Sequence, residues 1–272
     1  MSPPEQLLAA FEVDRRELHP LRGGQGAAWG TAALVFKPAD MSIEALQWQE
    51  CVLASIEEDG FRLARPVRAD DGRLVVADWS AWQRTSGEHL PRRWPDICAV
   101  GERFHRASAQ IPAPDWHLRR TDPFARADRA AWDDGAVEEF TALPLVARLA
   151  EHLRPVREPG QLIHGDLSGN VLFHPSLPPA IIDLSPYWRP PAFASAVVAV
   201  DALVWEDADR NVLAVLEGHP DASQHLLRAA IFRVVMDHLC NPERSTAPPW
   251  WPALMRVVAE VCHLAESAQR GG

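Results

Sequence analysis

Three short apolar runs interrupt a region of the chain that otherwise has the periodicity of helices. They are Leu162-Ile163, Val171-Leu172-Phe173 and Ala180-Ile181-Ile182, and polar or turn residues follow each of them at once. Short apolar runs bounded by turn residues are typical of buried strands. We therefore expect a little sheet inside a mainly helical region, with polar side chains on the loops where its strands end.

The first 90 residues or so have a mixed pattern of strand and helix. A strand is predicted over 31–37, and it stops at Pro38 because proline has no N–H to donate to a sheet. Asp40 or Ser42 is expected to cap a helix that runs to about Glu58.

A hairpin and a series of longer helices complete the predicted elements. The strand-like runs 65–69 and 73–79 are joined by Asp-Asp-Gly, which is typical of a tight turn. Helical periodicity then dominates the second half of the chain, roughly over 193–217, 221–240 and 252–269.

These patterns together predict an α+β fold with two lobes. Residues 1–84 are expected to form a small lobe of sheet plus helix, and residues 85–272 a larger, mainly helical lobe that contains a little sheet. A chain of 272 residues, 47% of them hydrophobic, is long enough to give both lobes a core.

Composition argues against several classes of protein. No apolar stretch approaches the roughly 18–20 residues that cross a bilayer, and the first residues lack the profile of a signal peptide. A net charge of −10 argues against a nucleic-acid partner, because phosphate backbones need a basic surface. The four cysteines form no CxxC pair, and the histidines show no zinc-ligand spacing. We expect a cytoplasmic enzyme or binding protein with neither a membrane nor a nucleic-acid partner.

Oxygen donors lie on the loops beside the apolar runs. Asp166 follows the first run, Asn170 precedes the second and Asp183 closes the third. Two carboxylates and an amide oxygen suit Mg²⁺, which keeps several waters and also binds substrate phosphates. A carboxylate near such a pair of metal ligands is what phosphoryl transfer needs, since one group orients the nucleophile and the others neutralise phosphate charge.

Lys37 is the one lysine among 27 basic residues. Because this chain otherwise uses arginine, its lysine is expected where a compact point charge has to reach a phosphate oxygen. It ends the predicted strand, and the loop before that strand contains Gly23, Gly24 and Gly26. Glycines there would let the backbone cover phosphates closely.

The helix that follows has a glutamate within its apolar face. At about 100° per residue, one arc of this helix is apolar and contains Glu50. The apolar residues of the arc are Ile43, Leu46, Leu53 and Ile56. A glutamate in an apolar stripe is costly unless it is paired, so Glu50 is expected to have a cationic partner. The alternative is a rotated helix that leaves Glu50 in water.

The loop motif resembles that of a known family. His-Gly-Asp-Leu-Ser-Gly-Asn at 164–170, followed by Ile-Asp at 182–183, is similar to H-G-D-x-x-x-x-N and I-D of the aminoglycoside phosphotransferase and choline kinase family. The glycine loop and the strand lysine are similar to that family's nucleotide-binding lobe. The resemblance implies a protein-kinase-like fold, with ATP and Mg²⁺ as cofactors.

The resemblance also implies a role for each matching residue. Asp166 would be the catalytic base that orients the acceptor hydroxyl, Asn170 and Asp183 would hold Mg²⁺, and Lys37 would contact the α- and β-phosphates. The lysine of kinase-like folds needs a carboxylate on the next helix, so we predict an ion pair between Lys37 and Glu50. We expect His164 to support the loop rather than to take part in the chemistry, because the mechanism already has its base.

The loop is one residue shorter than the family's motif. Asp166 and Asn170 are four positions apart, whereas the kinase pattern has five. Gly169 is expected to absorb the tighter turn. Asp201, on a later helix, has two interpretations: it receives backbone N–H groups of the loop, or it is a surface acid.

The leading hypothesis is an ATP-dependent kinase that phosphorylates a hydroxyl of an aminoglycoside, amino sugar or amino alcohol. Tryptophans near the predicted hinge and in the second half could stack on a cationic acceptor, and an acidic run could attract it. These residues are Trp79, Trp82, Trp188, Trp205, Trp250, Trp251, Glu206, Asp207 and Asp209. One alternative is a catalytically inactive kinase-like module that binds nucleotide or a partner, which the shortened loop favours. A metal hydrolase is the other, but it would not need the glycine loop and the strand lysine.

Overall fold

A computed structural model describes residues 2–21, 27–133, 135–219, 221–244 and 246–271. The chain divides into two units, Met1–Leu90 with Gly169–Leu184, and Pro91–Ser168 with Ser185–Gly272. This division differs from the predicted boundary after residue 84. The first unit runs six residues further and takes in a segment from the middle of the predicted second lobe.

Short strands are concentrated in the first unit, and longer helices make up most of the second. In chain order the elements are α1 (Glu5–Ala10), β1 (His19–Pro20), β2 (Trp29–Gly30), β3 (Leu34–Pro38), α2 (Ile43–Ser55), β4 (Arg62–Leu63), β5 (Pro66–Val67), β6 (Val75–Val76) and β7 (Trp79–Gln83). They continue with α3 (Trp94–Ala107), α4 (Asp115–Leu118), α5 (Pro123–Trp132), α6 (Pro144–Ala150), β8 (Gln161–His164), β9 (Val171–Leu172), β10 (Ala180–Ile181), β11 (Pro186–Arg189), α7 (Pro191–Trp205), α8 (Ala222–Cys240) and α9 (Trp251–Gly271).

An antiparallel sheet with the order β1-β2-β3-β7-β5 forms the body of the first unit. The predicted strand over 31–37 is confirmed as β3, although β3 begins three residues later. The delay has a local cause, because the hydroxyl of Thr31 accepts hydrogen bonds from the amides of Ala33 and Leu34 and holds a turn there. Lys37 lies near the end of β3, opposite Ser80 of β7.

The predicted hairpin has the expected turn but different strand pairing. Gly72 has φ 86° and Ala69 N donates to Arg73 O at 2.8 Å, which closes the turn. The strands β5 and β6 on either side of it pair with β7 and not with each other. A second tight turn at Ala77-Asp78, with both φ angles positive, joins β6 to β7.

Helix α2 packs one face into the core of the first unit. Ser42 caps it, its hydroxyl accepting from Ala45 N at 3.1 Å, as one of the two predicted caps. The helix ends at Ser55 and not near Glu58. Ile43, assigned from the sequence to the apolar arc, is 58% exposed, so the buried face is rotated from the predicted one.

The three apolar runs are strands, as expected, but they belong to two sheets. β9 and β10 pair with each other, and β10 also pairs in parallel with β4. This pairing is what joins residues 169–184 to the first unit. The earlier run lies in β8, which pairs with β11 inside the second unit.

Helices α7 and α8 form the core of the second unit. α7 is buried along nearly its whole length, so its small side chains allow close packing. The helix predicted over 193–217 ends at Trp205, because Asp207 takes φ 51° and a 3-10 helix, Arg210–Leu216, follows. The helices predicted over 221–240 and 252–269 are confirmed as α8 and α9. Within the described ranges, no helix combines the length and the apolar character that crossing a bilayer requires.

Candidate active site

The β9–β10 hairpin places Asn170 and Asp183 at the same end of two paired strands. Val171 lies opposite Ile181 in register, and Ile182 N donates to Asn170 O at 3.0 Å. Asp183 has φ 49°, a left-handed conformation that turns the chain as it leaves the strand. The two expected metal ligands are therefore neighbours through the backbone of one hairpin in the first unit.

Lys37 meets Asp183 within the first unit. Its Nζ lies 2.7 Å from Oδ1 of Asp183 and 4.7 Å from the ring centre of Trp82. The lysine side chain is 16% exposed and that of Asp183 is 49% exposed. A largely buried ammonium thus faces a half-exposed carboxylate.

The predicted ion pair between Lys37 and Glu50 is wrong. Glu50 accepts two hydrogen bonds from Arg68, from Nε at 2.7 Å and from Nη2 at 2.5 Å. This contact with Glu50 raises the pKa of Arg68. The guanidinium matches a carboxylate in a two-pronged geometry that an ammonium cannot form, and Arg68 lies on the chain just after β5. The carboxylate that pairs with Lys37 is that of Asp183 instead.

Gln49 is a site residue that the sequence analysis missed. It is 1% exposed, and its Nε2 donates to the carbonyl of Leu184 at 3.0 Å. Its Oε1 is buried and accepts no hydrogen bond from the described residues. A signal was available only if Ala45 and Val52 are counted in the apolar arc and Ile43 is left out, since at about 100° per residue position 49 then falls at its centre and position 50 outside it.

The donor set of the first unit suits Mg²⁺. Among the described residues, no group of three or more His, Cys, Asp and Glu side chains could hold a metal ion. Mg²⁺ does not need such a group, because it keeps waters and commonly takes one or two protein oxygens together with substrate phosphates. The half-exposed carboxylate of Asp183 and the neighbouring Asn170 fit that kind of binding.

Asp166 belongs to the second unit, where an arginine holds its carboxylate. Nη2 of Arg233 lies 2.7 Å from Oδ1 of Asp166. The same guanidinium binds Asp201 through Nε at 2.7 Å and Nη2 at 2.5 Å. The interpretation of Asp201 as a surface acid is wrong, since it is 4% exposed and paired. Sequence reasoning did not identify Arg233. A signal for it existed, because Arg233 is a charged residue within an apolar helical run.

Two buried histidines fix the backbone before Asp166. His164 N donates to Nε2 of His105 at 3.1 Å, and Asp166 N donates to Nδ1 of His164 at 3.1 Å. Burial lowers the pKa of His105 to about 3, so its ring is neutral and able to accept this bond. The contacts of His164 are those of a residue that supports the loop.

The two glycines of the loop answer different needs. An added Cβ at Gly165 would lie 2.3 Å from the ring of Tyr187, so the close approach requires glycine. Gly169 has φ 75°, in agreement with the expected tighter turn of the short loop. The other predicted glycines, Gly23, Gly24 and Gly26, lie outside the described residues.

The tryptophans fall into separate environments. Trp79 and Trp82 are 3% and 4% exposed and belong to the sheet of the first unit. In the second unit, the ring centres of Trp205 and Trp250 are 5.6 Å apart, and Trp205 lies 5.8 Å from the Arg233 guanidinium. Trp205 is 41% exposed, so it is a large aromatic surface close to the arginine that holds Asp166.

Solved structures share this fold at low sequence identity. The amicoumacin kinase hAmiN aligns with a TM-score of 0.63 and 13% identity over 92% of this chain and 89% of its own. An aminoglycoside phosphotransferase from Alicyclobacillus acidocaldarius gives 0.60 and 18% over 100% and 97%. The choline kinase LicA from Streptococcus pneumoniae gives 0.55 and 10% over 91% and 93%. The predicted α+β, protein-kinase-like fold is confirmed by these likenesses.

A family model assigns the chain. No curated protein matches the chain. The model of the phosphotransferase enzyme family APH matches residues 27–193, a stretch that contains Lys37, Asp166, Asn170 and Asp183. Because the match covers more than half of the chain, the expectation of a phosphotransferase is confirmed, and the chain belongs to the APH phosphotransferase enzyme family.

Proposed function

We propose that this protein is an ATP-dependent small-molecule kinase that transfers the γ-phosphoryl group to a hydroxyl of an amine-bearing acceptor. The observation that carries the proposal is the contact between Lys37 Nζ and Asp183 Oδ1 at 2.7 Å, beside Asn170, in a chain of this family. An ammonium and oxygen ligands at one place can bind a nucleoside triphosphate, because the ammonium neutralises phosphate charge and the oxygens coordinate its metal ion.

The residues of the first unit would bind the donor. Lys37 donates hydrogen bonds to the α- and β-phosphates, and its fixed charge favours the bound polyanion. Asn170 and Asp183 would hold Mg²⁺, which when bound neutralises charge on the phosphate oxygens. In this structure Lys37 and Asp183 pair with each other.

Asp166 would handle the acceptor. Its carboxylate accepts a hydrogen bond from the acceptor hydroxyl and so points the oxygen at the γ-phosphorus. As the new O–P bond forms and the bond to ADP breaks, the hydroxyl proton passes to Asp166. The products are the phosphorylated acceptor and ADP, and the proton leaves to solvent from the 40% exposed carboxylate.

A cationic acceptor fits the surroundings of Trp205. An exposed aromatic ring attracts cations through its π face. The acidic run that follows adds negative charge, and within it Glu206 accepts a hydrogen bond from Trp94 Nε1 at 2.7 Å. These features favour an aminoglycoside, amino sugar or amino alcohol over a neutral sugar.

Related structures support the choice of donor. The hAmiN structure is a complex with AMP-PNP, Ca²⁺ and Ami, and an aminoglycoside phosphotransferase forms a ternary complex with AMP-PNP and hygromycin B. We extend nucleotide and divalent-metal use to this chain on that basis, with Mg²⁺ as the metal. The cytoplasmic location stays a prediction.

The experiment combines binding and turnover. Thermal unfolding of the wild type is followed with ATP, with Mg²⁺ and with both, and ADP release is measured against hygromycin B, spectinomycin, choline and glucose. We expect stabilisation by ATP that requires Mg²⁺, and turnover with at least one amine. Asp166→Asn should keep the stabilisation and lose turnover. Turnover with glucose and with no amine would overturn the acceptor class.

The shortened loop favours a second candidate, an inactive nucleotide-binding module. Asp166 and Asn170 are one position closer than in the kinase pattern. Such a module would show the same stabilisation by ATP and Mg²⁺ but no ADP release with any acceptor. The two candidates therefore differ in a single measurement on the wild type.

A further inference from the structure

We propose that Arg233 is a positioning residue for phosphoryl transfer. Its guanidinium, which Asp201 holds, fixes the carboxylate of Asp166 through a hydrogen bond. This inference rests on the proposed function, in which Asp166 orients the acceptor hydroxyl. Arg233 itself would touch neither nucleotide nor acceptor.

The geometry leaves the guanidinium one orientation. Asp201 accepts from Nε and from Nη2, a two-point contact that stops the planar group from rotating. Nη2 then also donates to Oδ1 of Asp166 at 2.7 Å. One donor nitrogen thus joins a carboxylate on α7 to the carboxylate on the loop, so the position of Asp166 is set by the packing of α7 and α8.

Burial is graded along these three residues. The side chains of Asp201 and Arg233 are 6% and 7% exposed, whereas that of Asp166 is 40% exposed. The two buried charges cancel, and the remaining negative charge stands at the exposed end. A carboxylate that must meet a ligand repeatedly in one orientation gains from such a rigid, buried support.

The charges of this group are held together strongly. Burial opposes ionisation of Arg233, but Asp201 and Asp166 outweigh it and raise the pKa of the arginine. The pKa of Asp201 is raised by its burial, which the arginine opposes. The rings of Phe232 and Trp205 also lie within 6 Å of the guanidinium carbon, and they suit a flat cation better than an ammonium.

A merely structural role makes a different prediction. If Arg233 only neutralises Asp201 between α7 and α8, then removing both charges together should restore the fold and leave the reaction intact. Buried ion pairs can often be replaced by apolar side chains of similar volume without loss of stability. The double variant Arg233→Met/Asp201→Leu therefore separates the two roles, even where Arg233→Met alone fails to fold.

The chain offers a matched control pair in the same unit. Asp128 is 4% exposed and accepts from Nε and Nη2 of Arg189, at 3.0 and 2.7 Å, as Asp201 does from Arg233. Neither residue of this pair has been assigned a part in the reaction. Arg189→Met/Asp128→Leu repeats the substitution at a pair whose aspartate is as buried as Asp201 and whose arginine side chain is 21% exposed.

The experiment compares wild type, the two double variants and Arg233→Lys. The readouts are the thermal shift with Mg²⁺ and ATP, and the kcat and KM for ADP release with hygromycin B, spectinomycin and choline. For the Arg233 double variant we expect the wild-type thermal shift, a KM within about threefold, and a kcat lower by about 10- to 100-fold, as misplacement of a reacting group causes. The kcat of Arg233→Lys should lie between those of the wild type and the Arg233 double variant. The control double variant should keep the wild-type kcat.

Each outcome decides between the roles. A folded Arg233 double variant with the wild-type kcat would overturn the proposal and leave the proposed function standing. Equal kcat losses in both double variants would also overturn it, because the effect would then be general. A wild type that binds ATP but phosphorylates no acceptor would contradict the proposed function itself, and the positioning role would fall with it.

Discussion

The side-chain amide of Gln49 donates a hydrogen bond of 3.0 Å to the carbonyl of Leu184. Leu184 is the residue directly after Asp183. The contact joins the middle of α2 to the chain just beyond the β9–β10 hairpin. Because Asp183 has a left-handed backbone conformation, its orientation depends on what holds the residues beside it. Through the backbone of Leu184, Gln49 is linked to the residue whose carboxylate pairs with Lys37.

Gln49→Leu should weaken both the fold and the use of Mg²⁺. The change keeps the volume but leaves the Leu184 carbonyl without its donor, which costs about 1–3 kcal/mol for a buried group, and removal of Oε1, which has no partner among the described residues, offsets part of this cost. Urea unfolding measures this loss, and the thermal shift with ATP and Mg²⁺ should become smaller. Gln47→Leu, on the exposed face of the same helix, is the control and should change stability by about 0.5 kcal/mol or less. Equal effects of the two substitutions would contradict the coupling.

Lys37→Ala should abolish the stabilisation by ATP. Removal of the ammonium leaves phosphate oxygens without their point charge, while the fold loses little because Asp183 is half-exposed and the pair is partly screened. Thermal unfolding with and without ATP and Mg²⁺ measures both effects in one experiment. A variant that keeps the wild-type shift would show that Lys37 does not contact the nucleotide.

Glu50→Gln should leave the ATP shift unchanged. The carboxylate of Glu50 serves Arg68 and not Lys37, so its loss should affect the contact between α2 and the chain after β5 alone. The comparison with Arg68→Gln is informative, because each single change removes the same pair. A large loss of nucleotide binding in Glu50→Gln, with none in Arg68→Gln, would instead support the ion pair between Glu50 and Lys37 that the sequence predicted.

The case of α2 shows how far periodicity can be used. The sequence predicted the helix and narrowed its cap to Asp40 or Ser42, of which Ser42 is the one observed, and both are local properties. The choice between Gln49 and Glu50 depends on where the buried face is centred. Counting Ala45 and Val52 and leaving out the exposed Ile43 rotates that centre by about 50°, which brings Gln49 to the centre and leaves Glu50 outside.

Long-range partners were beyond the sequence for another reason. Asp166, Asn170 and Asp183 were found because their loops follow a motif, but nothing local shows that Asn170 and Asp183 join one unit and Asp166 the other. Arg233 lies 67 residues from Asp166, and its partner is decided by the packing of α7 on α8. A charge in an apolar helix predicts that a partner exists without naming it.

Acid should destabilise the protein below about pH 6.5. Burial lowers the pKa of His105 to about 3 and those of His117 and His225 to about 4. Between pH 6.5 and 4 the unfolded chain binds protons at these rings and the folded chain does not, so the free energy of unfolding falls as pH falls. Each ring contributes up to about 1.4 kcal/mol per pH unit.

Urea unfolding at pH 7, 6 and 5 measures this dependence. His105→Gln should reduce the slope by the share of one ring, even if the variant is less stable at pH 7. Midpoints that stay constant from pH 7 to 5, in wild type and variant alike, would show that these histidines do not stay neutral in the folded protein.

Gly165→Ala should destabilise the second unit through a steric clash and not through backbone strain. Its Cβ would lie 2.3 Å from the Tyr187 ring, and both residues are in paired strands or directly beside them, so neither can move far. Overpacking of this kind costs about 1–3 kcal/mol.

Gly135→Ala is the contrasting variant, because Gly135 has φ 82° and open space around it, and its cost comes from conformation alone. Tyr187→Leu should recover part of the loss at Gly165 and none at Gly135, which urea unfolding of the two double variants would measure. Since Gly165 directly precedes Asp166, the rescued double variant should also regain kcat if the clash is what displaces the carboxylate.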